Sequence, residues 1–141
     1  MLRTVLVLVT AAVSLRADVA TVNAEPNLEK RSQLALEHAE LEIVAAKKAY
    51  EAGEFDNFKR LLTEVGDLAD VCYDALEDTG KRARRAPKWF KKAEQRMLTL
   101  MRRIGSLEKD VALEDRDLVK DLGKRVSDVH DRLLNDIMTK K

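Results

Sequence analysis

Two histidines and one cysteine are the side chains of this chain best suited to bind a metal or to act as a nucleophile. A carboxylate-bridged di-iron centre in a helical bundle needs a glutamate three residues before a histidine. Ala35 stands at that position before His38, and Ser127 stands there before His130. The sequence therefore predicts no di-iron centre, although acidic neighbours of both histidines leave a metal-binding helical protein as an alternative.

The single cysteine does not have the setting of a nucleophile. Cys72 falls on the apolar face of a predicted helix with no base close to it in sequence, and a buried cysteine behaves as a small hydrophobic residue. The chain also has no Gly-x-Ser-x-Gly segment, no phosphate-binding loop and no dinucleotide-binding glycine pattern. These observations predict a protein that is not an enzyme and needs no cofactor.

Positive charge is concentrated in one segment. Ten Lys or Arg residues and one acid, Glu94, lie between Lys81 and Arg103, in a chain whose net charge is +1. On a helix that begins at Pro87, most of these charges point away from the apolar seam. We expect a surface for an anionic partner, and we call it the basic surface: Lys81, Arg82, Arg84, Arg85, Lys88, Lys92, Arg96 and Arg103.

A second interpretation of the same charges is structural. The preceding predicted helix is rich in acids, and a bundle could neutralise the basic surface with six of them: Glu64, Asp67, Asp70, Asp74, Glu77 and Asp78. Under this interpretation the basic surface is a solvated face with no partner.

Four amphipathic helices position these residues. Apolar side chains recur at steps of three and four within residues 27–52, 56–79, 87–109 and 115–139. Pro26 or Asn27 begins the first helix, Asp56 is a candidate cap for the second, and Gly53 and Gly80 close the first two. Similar lengths and short connections predict an all-α, antiparallel up-down-up-down four-helix bundle over residues 26–139, with a bent array of hairpins as the alternative.

The first residues have another character. Arg3 precedes an apolar run over residues 5–15, which is too short to span a bilayer of roughly 30 Å as a helix. A basic start, a short apolar run and small residues after it are typical of a secretory signal peptide. We expect a signal peptide over residues 1–17, with cleavage after Ala17 or alternatively after Ala24, and hence a periplasmic or secreted protein; a buried first helix is the other interpretation.

Three apolar residues of the first predicted helix lie far from its main stripe. Leu34, Leu41 and Val44 are either a contact of a homo-oligomer or the place where a neighbouring helix packs.

Two resemblances add to this picture. The segment AYEAGEFDNFKRLL, residues 49–62, resembles the turn of a tetratricopeptide repeat in its Ala49, Tyr50, Gly53 and Phe55. The 34-residue period of such repeats does not recur, so we expect an ordinary helical hairpin here. The chain also resembles short exported all-helical bacterial proteins without an assigned activity, through its apparent signal peptide and the segments EPNLEKRSQLALEHAE and GKRARRAPKWFKKAE. This resemblance implies export and an all-α fold.

Taken together, the residues predict an exported helical bundle that acts by binding another protein or as a structural module. The alternative is a binder of an anionic polymer or of nucleic acid through the basic surface, and nucleic acid is disfavoured for an exported protein. No membrane span is expected in the mature chain.

Overall fold

The computed structural model describes the backbone of residues 16–139 and the side chains of residues 18–139. The described chain is all-α, as predicted, and its elements are α1 (Arg16–Asn23), α2 (Leu28–Glu51), α3 (Phe55–Asp78), α4 (Pro87–Asp110), a 3-10 turn (Leu113–Asp115) and α5 (Arg116–Met138). The four long helices begin and end close to the predicted positions. The apolar run expected to form the core of a signal peptide, residues 5–15, lies outside the described residues.

Local chemistry explains where the helices begin and end. The Asn27 side-chain oxygen accepts a hydrogen bond of 2.9 Å from the Lys30 backbone N–H, which caps α2. Gly53 and Gly80 have φ angles of 75° and 66°, and glycine adopts this left-handed conformation without the steric cost of a Cβ. The prediction that Asp56 caps α3 is wrong, because Asp56 lies inside the first turn and Glu54 precedes the helix without a side-chain cap.

The apolar stripes of the four long helices meet in one core. Leu36, Leu68, Leu100 and Leu133, one from each helix, are fully buried. Full burial of a leucine side chain contributes about 1.5–3 kcal/mol relative to its exposure. The bundle therefore buries the apolar residues that recur with a helical period in the sequence.

The order of the helices around this core is not their order along the chain. α2 packs against both α3 and α4, and α5 also packs against both α3 and α4. The consecutive helices α3 and α4 make only a few contacts with each other, so they lie across the diagonal of the bundle. Their connection, residues 79–86, spans that diagonal and inserts Ala83 into the core.

A short helix outside the four predicted ones, α1, covers part of α2 and α3. α1 packs against these two helices, and its Val22 is fully buried in the common core. Residue 22 precedes the predicted domain start at residue 26, so the described core extends further towards the N-terminus. None of the helices within residues 16–139 combines the length and the apolar character that a membrane span requires.

Candidate functional site: the basic surface and its surroundings

The structure places the basic surface along the connection 79–86 and the outer side of α4. Lys81, Arg82, Arg84 and Arg85 are exposed on the connection. On α4, Lys88, Lys92 and Arg103 are exposed, and Arg96 is half-buried between α4 and α2. Pro87 sets the start of α4 by occupying its first turn, where a missing N–H costs nothing.

Two members of the basic surface are neutralised by α2. The Lys81 ammonium lies 2.8 Å from a carboxylate oxygen of Glu29. The Arg96 guanidinium lies 3.1 Å from Glu37 and 3.9 Å from Glu40. These pairs tie α4 and its preceding connection to α2, and Arg96 is therefore a structural contact more than a free docking group.

Three exposed arginines of the basic surface differ from these two cations. Within the side chains of residues 18–139, no carboxylate lies within 4.0 Å of Arg84, Arg85 or Arg103. Lys88 and Lys92 carry their ammonium groups 5.3 and 6.0 Å from the centre of the Trp89 ring, within the range of a cation–π contact. These five exposed cations therefore face solvent with no carboxylate within 4.0 Å of them among the described side chains.

The interpretation that the preceding helix balances this patch is wrong for the acids at its centre. Asp67 and Asp70 of α3 lie 2.8 and 2.7 Å from the Arg125 guanidinium of α5, and Arg132 of α5 lies 3.6 Å from Asp70. α3 cannot reach the outer side of α4, because the two helices lie across the diagonal. The carboxylates of Asp67 and Asp70 hold α5 instead.

A shallow groove lies beside the basic surface, between α2 and α4. Its volume is about 330 Å³. Buried Ile43 and Leu107 form its floor, Val44 forms one wall with 43% of its surface exposed, and Arg102 and Arg103 are at its rim. Apolar and cationic groups are thus adjacent here.

The apolar strip expected on α2 is divided. Leu34 is half-buried and packs against the core, so it is not a free contact. Leu41 and Val44 are exposed over 67% and 43% of their surface. The predicted homo-oligomer contact is therefore reduced to these two residues.

The candidates for metal binding and nucleophilic chemistry are placed apart. His130 is buried and its Nε2 lies 2.8 Å from Glu94 of α4, so it joins α4 to α5. His38 lies 3.7 Å from Asp18. Burial raises the pKa of the Cys72 thiol to about 12, which keeps it protonated. Among the side chains described, no group of three or more His, Cys, Asp or Glu residues could hold a metal ion.

Sequence analysis missed a buried pair of acids. Glu42 of α2 and Glu64 of α3 are only 2% and 7% exposed, beneath α1. Burial raises the pKa of Glu42 to about 9, and the neighbouring carboxyl groups of Glu64 and Asp18 act in the same direction. The signal was present in the spacing, since Glu42 falls between Ala39 and Ala46 on the buried stripe. Glu42 is therefore a neutral core residue at neutral pH.

Comparisons with protein-family models, with curated proteins and with solved structures find no match for this chain.

Proposed function

We propose that this chain is an exported, non-enzymatic helical bundle that binds an acidic partner protein through the basic surface. The observation that carries the proposal is the exposure of Arg84, Arg85 and Arg103, which have no carboxylate within 4.0 Å among the side chains of residues 18–139. Cations that are already paired within the fold add little to the binding energy with a partner. Unpaired cations grouped on one face attract an oppositely charged partner and orient it.

The proposed topology is up-down-up-down, and it explains why the cations gather on one side. Contacts between Tyr50 and Phe58 join the end of α2 to the start of α3, and Glu94 meets His130 between α4 and α5. These pairs support two antiparallel hairpins. The Lys81–Glu29 and Lys47–Asp110 pairs support a parallel arrangement of α2 and α4, which aligns the basic surface along α2.

An acidic protein is preferred to nucleic acid because of the proposed export. Residues 1–17 have the sequence character of a signal peptide, and a periplasmic or secreted protein meets proteins more often than nucleic acid. N-terminal sequencing of the protein from fractionated cells tests this step. A mature chain that begins at Asp18 in the exported fraction supports it, and a chain in the cytoplasm with residues 1–17 intact overturns it.

The binding step is tested with a glutamate-rich unstructured peptide carrying a fluorescent label. We expect fluorescence anisotropy to show binding at low salt that weakens steeply as salt is added, because the contacts are exposed ion pairs. Reversing two free cations, Arg84→Glu with Arg85→Glu, should weaken binding about tenfold or more.

A matched variant on another helix supplies the control. Lys120 and Lys124 of α5 are also exposed, so Lys120→Glu with Lys124→Glu makes the same change in net charge away from the basic surface. Equal losses in both double variants would show a response to net charge alone and would refute a defined docking surface. Circular dichroism of all variants confirms that they fold.

A further inference from the structure

The groove between α2 and α4 has an apolar floor and a cationic rim. Ile43 and Leu107 at the floor are 5% and 2% exposed, so their side chains already belong to the core. Val44 stands beside them at 43% exposure, and Leu41, one helical turn earlier on α2, is 67% exposed. A continuous apolar strip thus runs from the groove along α2.

The rim of the groove carries charge that the fold does not use. Arg102 and Arg103 of α4 are exposed, and no carboxylate lies within 4.0 Å of either among the described side chains. Lys47 and Asp110 pair with each other at 3.2 Å at one end of the groove. The two arginines are therefore available to an incoming anion directly beside exposed apolar surface.

Shape and charge together select the occupant. A groove that follows two packed helices accepts a third helix, whose apolar side chains at positions i, i+3 or i+4 and i+7 enter it. The arginines require acidic residues on the flank of that helix, and they would oppose a basic one. An anionic lipid surface would instead need apolar side chains that protrude by about 5–10 Å, whereas Ile43 and Leu107 lie at the bottom of a depression.

We propose that this groove docks an acidic amphipathic helix of the partner protein. The proposal rests on the proposed function, and it adds the conformation of the bound segment and the place where it binds. Val44 and Leu41 contact its apolar face, and Arg102 and Arg103 pair with its acidic flank. The rest of the basic surface then contributes longer-range attraction along α4.

The test compares the affinities of two synthetic peptides of the same composition for the full-length protein. One peptide places leucines on one helical face and glutamates on the other, and the second has the same residues in scrambled order. Fluorescence anisotropy should show at least tenfold tighter binding of the amphipathic peptide, with an increase in helical circular dichroism on binding. Equal affinities for the two peptides would overturn the proposal.

Variants locate the binding. Val44→Gln and the pair Arg102→Gln with Arg103→Gln should each weaken binding of the amphipathic peptide about tenfold, because they remove the apolar wall and the cations. Leu113→Gln is the matched apolar control, since Leu113 is 77% exposed on the 3-10 turn and lies outside the groove. Wild-type affinity in Val44→Gln, or an equal loss in Leu113→Gln, would overturn the proposal.

Two further results separate this inference from the proposed function. In the first, the glutamate-rich peptide binds the Arg84→Glu and Arg85→Glu double variant more weakly than the Lys120→Glu and Lys124→Glu control, while Val44→Gln binds the amphipathic and scrambled peptides with wild-type affinity. In that case the proposed basic surface stands and the groove proposal fails. If no acidic peptide binds the wild-type protein, both fail. Sedimentation with phosphatidylglycerol vesicles completes the test, since vesicle binding that is lost in Val44→Gln would assign the groove to a membrane and overturn the helix proposal.

Discussion

Replacing Glu42 by glutamine tests the physical consequence of burying an acid beneath α1. Neither carboxyl oxygen of Glu42 has a hydrogen-bond partner among the described residues, and one oxygen of Glu64 beside it also has none. The groups that face Glu42 are Glu64 of α3 and Asp18 of α1, with His38 of α2 next to Asp18. Glutamine has the shape of the protonated acid and never ionises, so Glu42→Gln removes the titration and keeps the packing.

The sign of the effect follows from the raised pKa. The pKa of Glu42 is about 9 in the folded protein, against an ordinary value of 4.5. Between these values the folded chain keeps a proton that the unfolded chain releases, so wild-type stability falls as pH rises from about 4.5 to about 9. Each pH unit inside this window costs up to about 1 kcal/mol or slightly more, which makes the loss between pH 5 and pH 7 roughly 2–3 kcal/mol.

Urea unfolding followed by circular dichroism measures this effect when wild type and Glu42→Gln are compared at each pH. The two should differ little at pH 5, and the variant should gain roughly 2–3 kcal/mol relative to wild type by pH 7, with the difference levelling off above about pH 9. Glu51→Gln is the control, because Glu51 is an exposed glutamate on the same helix. A difference between wild type and Glu42→Gln that stays constant from pH 5 to pH 9 would refute the reasoning.

Three further changes probe packing. Gly105→Ala on α4 should stabilise the protein by about 0.5–1 kcal/mol, because the added Cβ would meet no atom within 4 Å. Gly66→Ala should gain less stability, because its Cβ would fall on the Arg125 guanidinium. Urea unfolding of both variants measures the two changes, and a larger gain for Gly66→Ala would contradict this reasoning. Val22→Ala should cost about 1–2 kcal/mol in the same assay if α1 belongs to the core, and an unchanged stability would show that α1 does not dock. The Cys72 thiol, fully buried with its pKa raised to about 12, should react with a thiol reagent only after unfolding, and rapid labelling of the native protein would contradict its burial.

The individual helices could be predicted from the sequence because each buries one stripe with a helical period. Along residues 87–109, the apolar side chains that recur at steps of three and four are the ones that α4 buries: Phe90, Ala93, Met97, Leu100, Ile104 and Leu107. α1 could not be predicted in this way, since it has only eight residues and a weak pattern that merged with the apparent signal peptide. Glu42 was missed because a charged residue is expected outside, although its position on the stripe pointed inward.

The environment of the basic surface could not be predicted, because it depends on which helices are neighbours. The connection 79–86 has eight residues and reaches up to about 26 Å when extended. Neighbouring helices lie about 8–10 Å apart and diagonal ones about 14 Å apart, so this connection can serve either arrangement. The apolar stripes of α3 and α4 are also compatible with either a neighbouring or a diagonal arrangement of these two helices. Only the three-dimensional packing shows that α3 lies across the diagonal, where Asp67 and Asp70 hold Arg125 of α5. Arg84, Arg85 and Arg103 then have no carboxylate within 4.0 Å among the described side chains. The order of the helices, which this connection permits but does not fix, thus decides whether the bundle neutralises its own positive charge or exposes that charge to solvent.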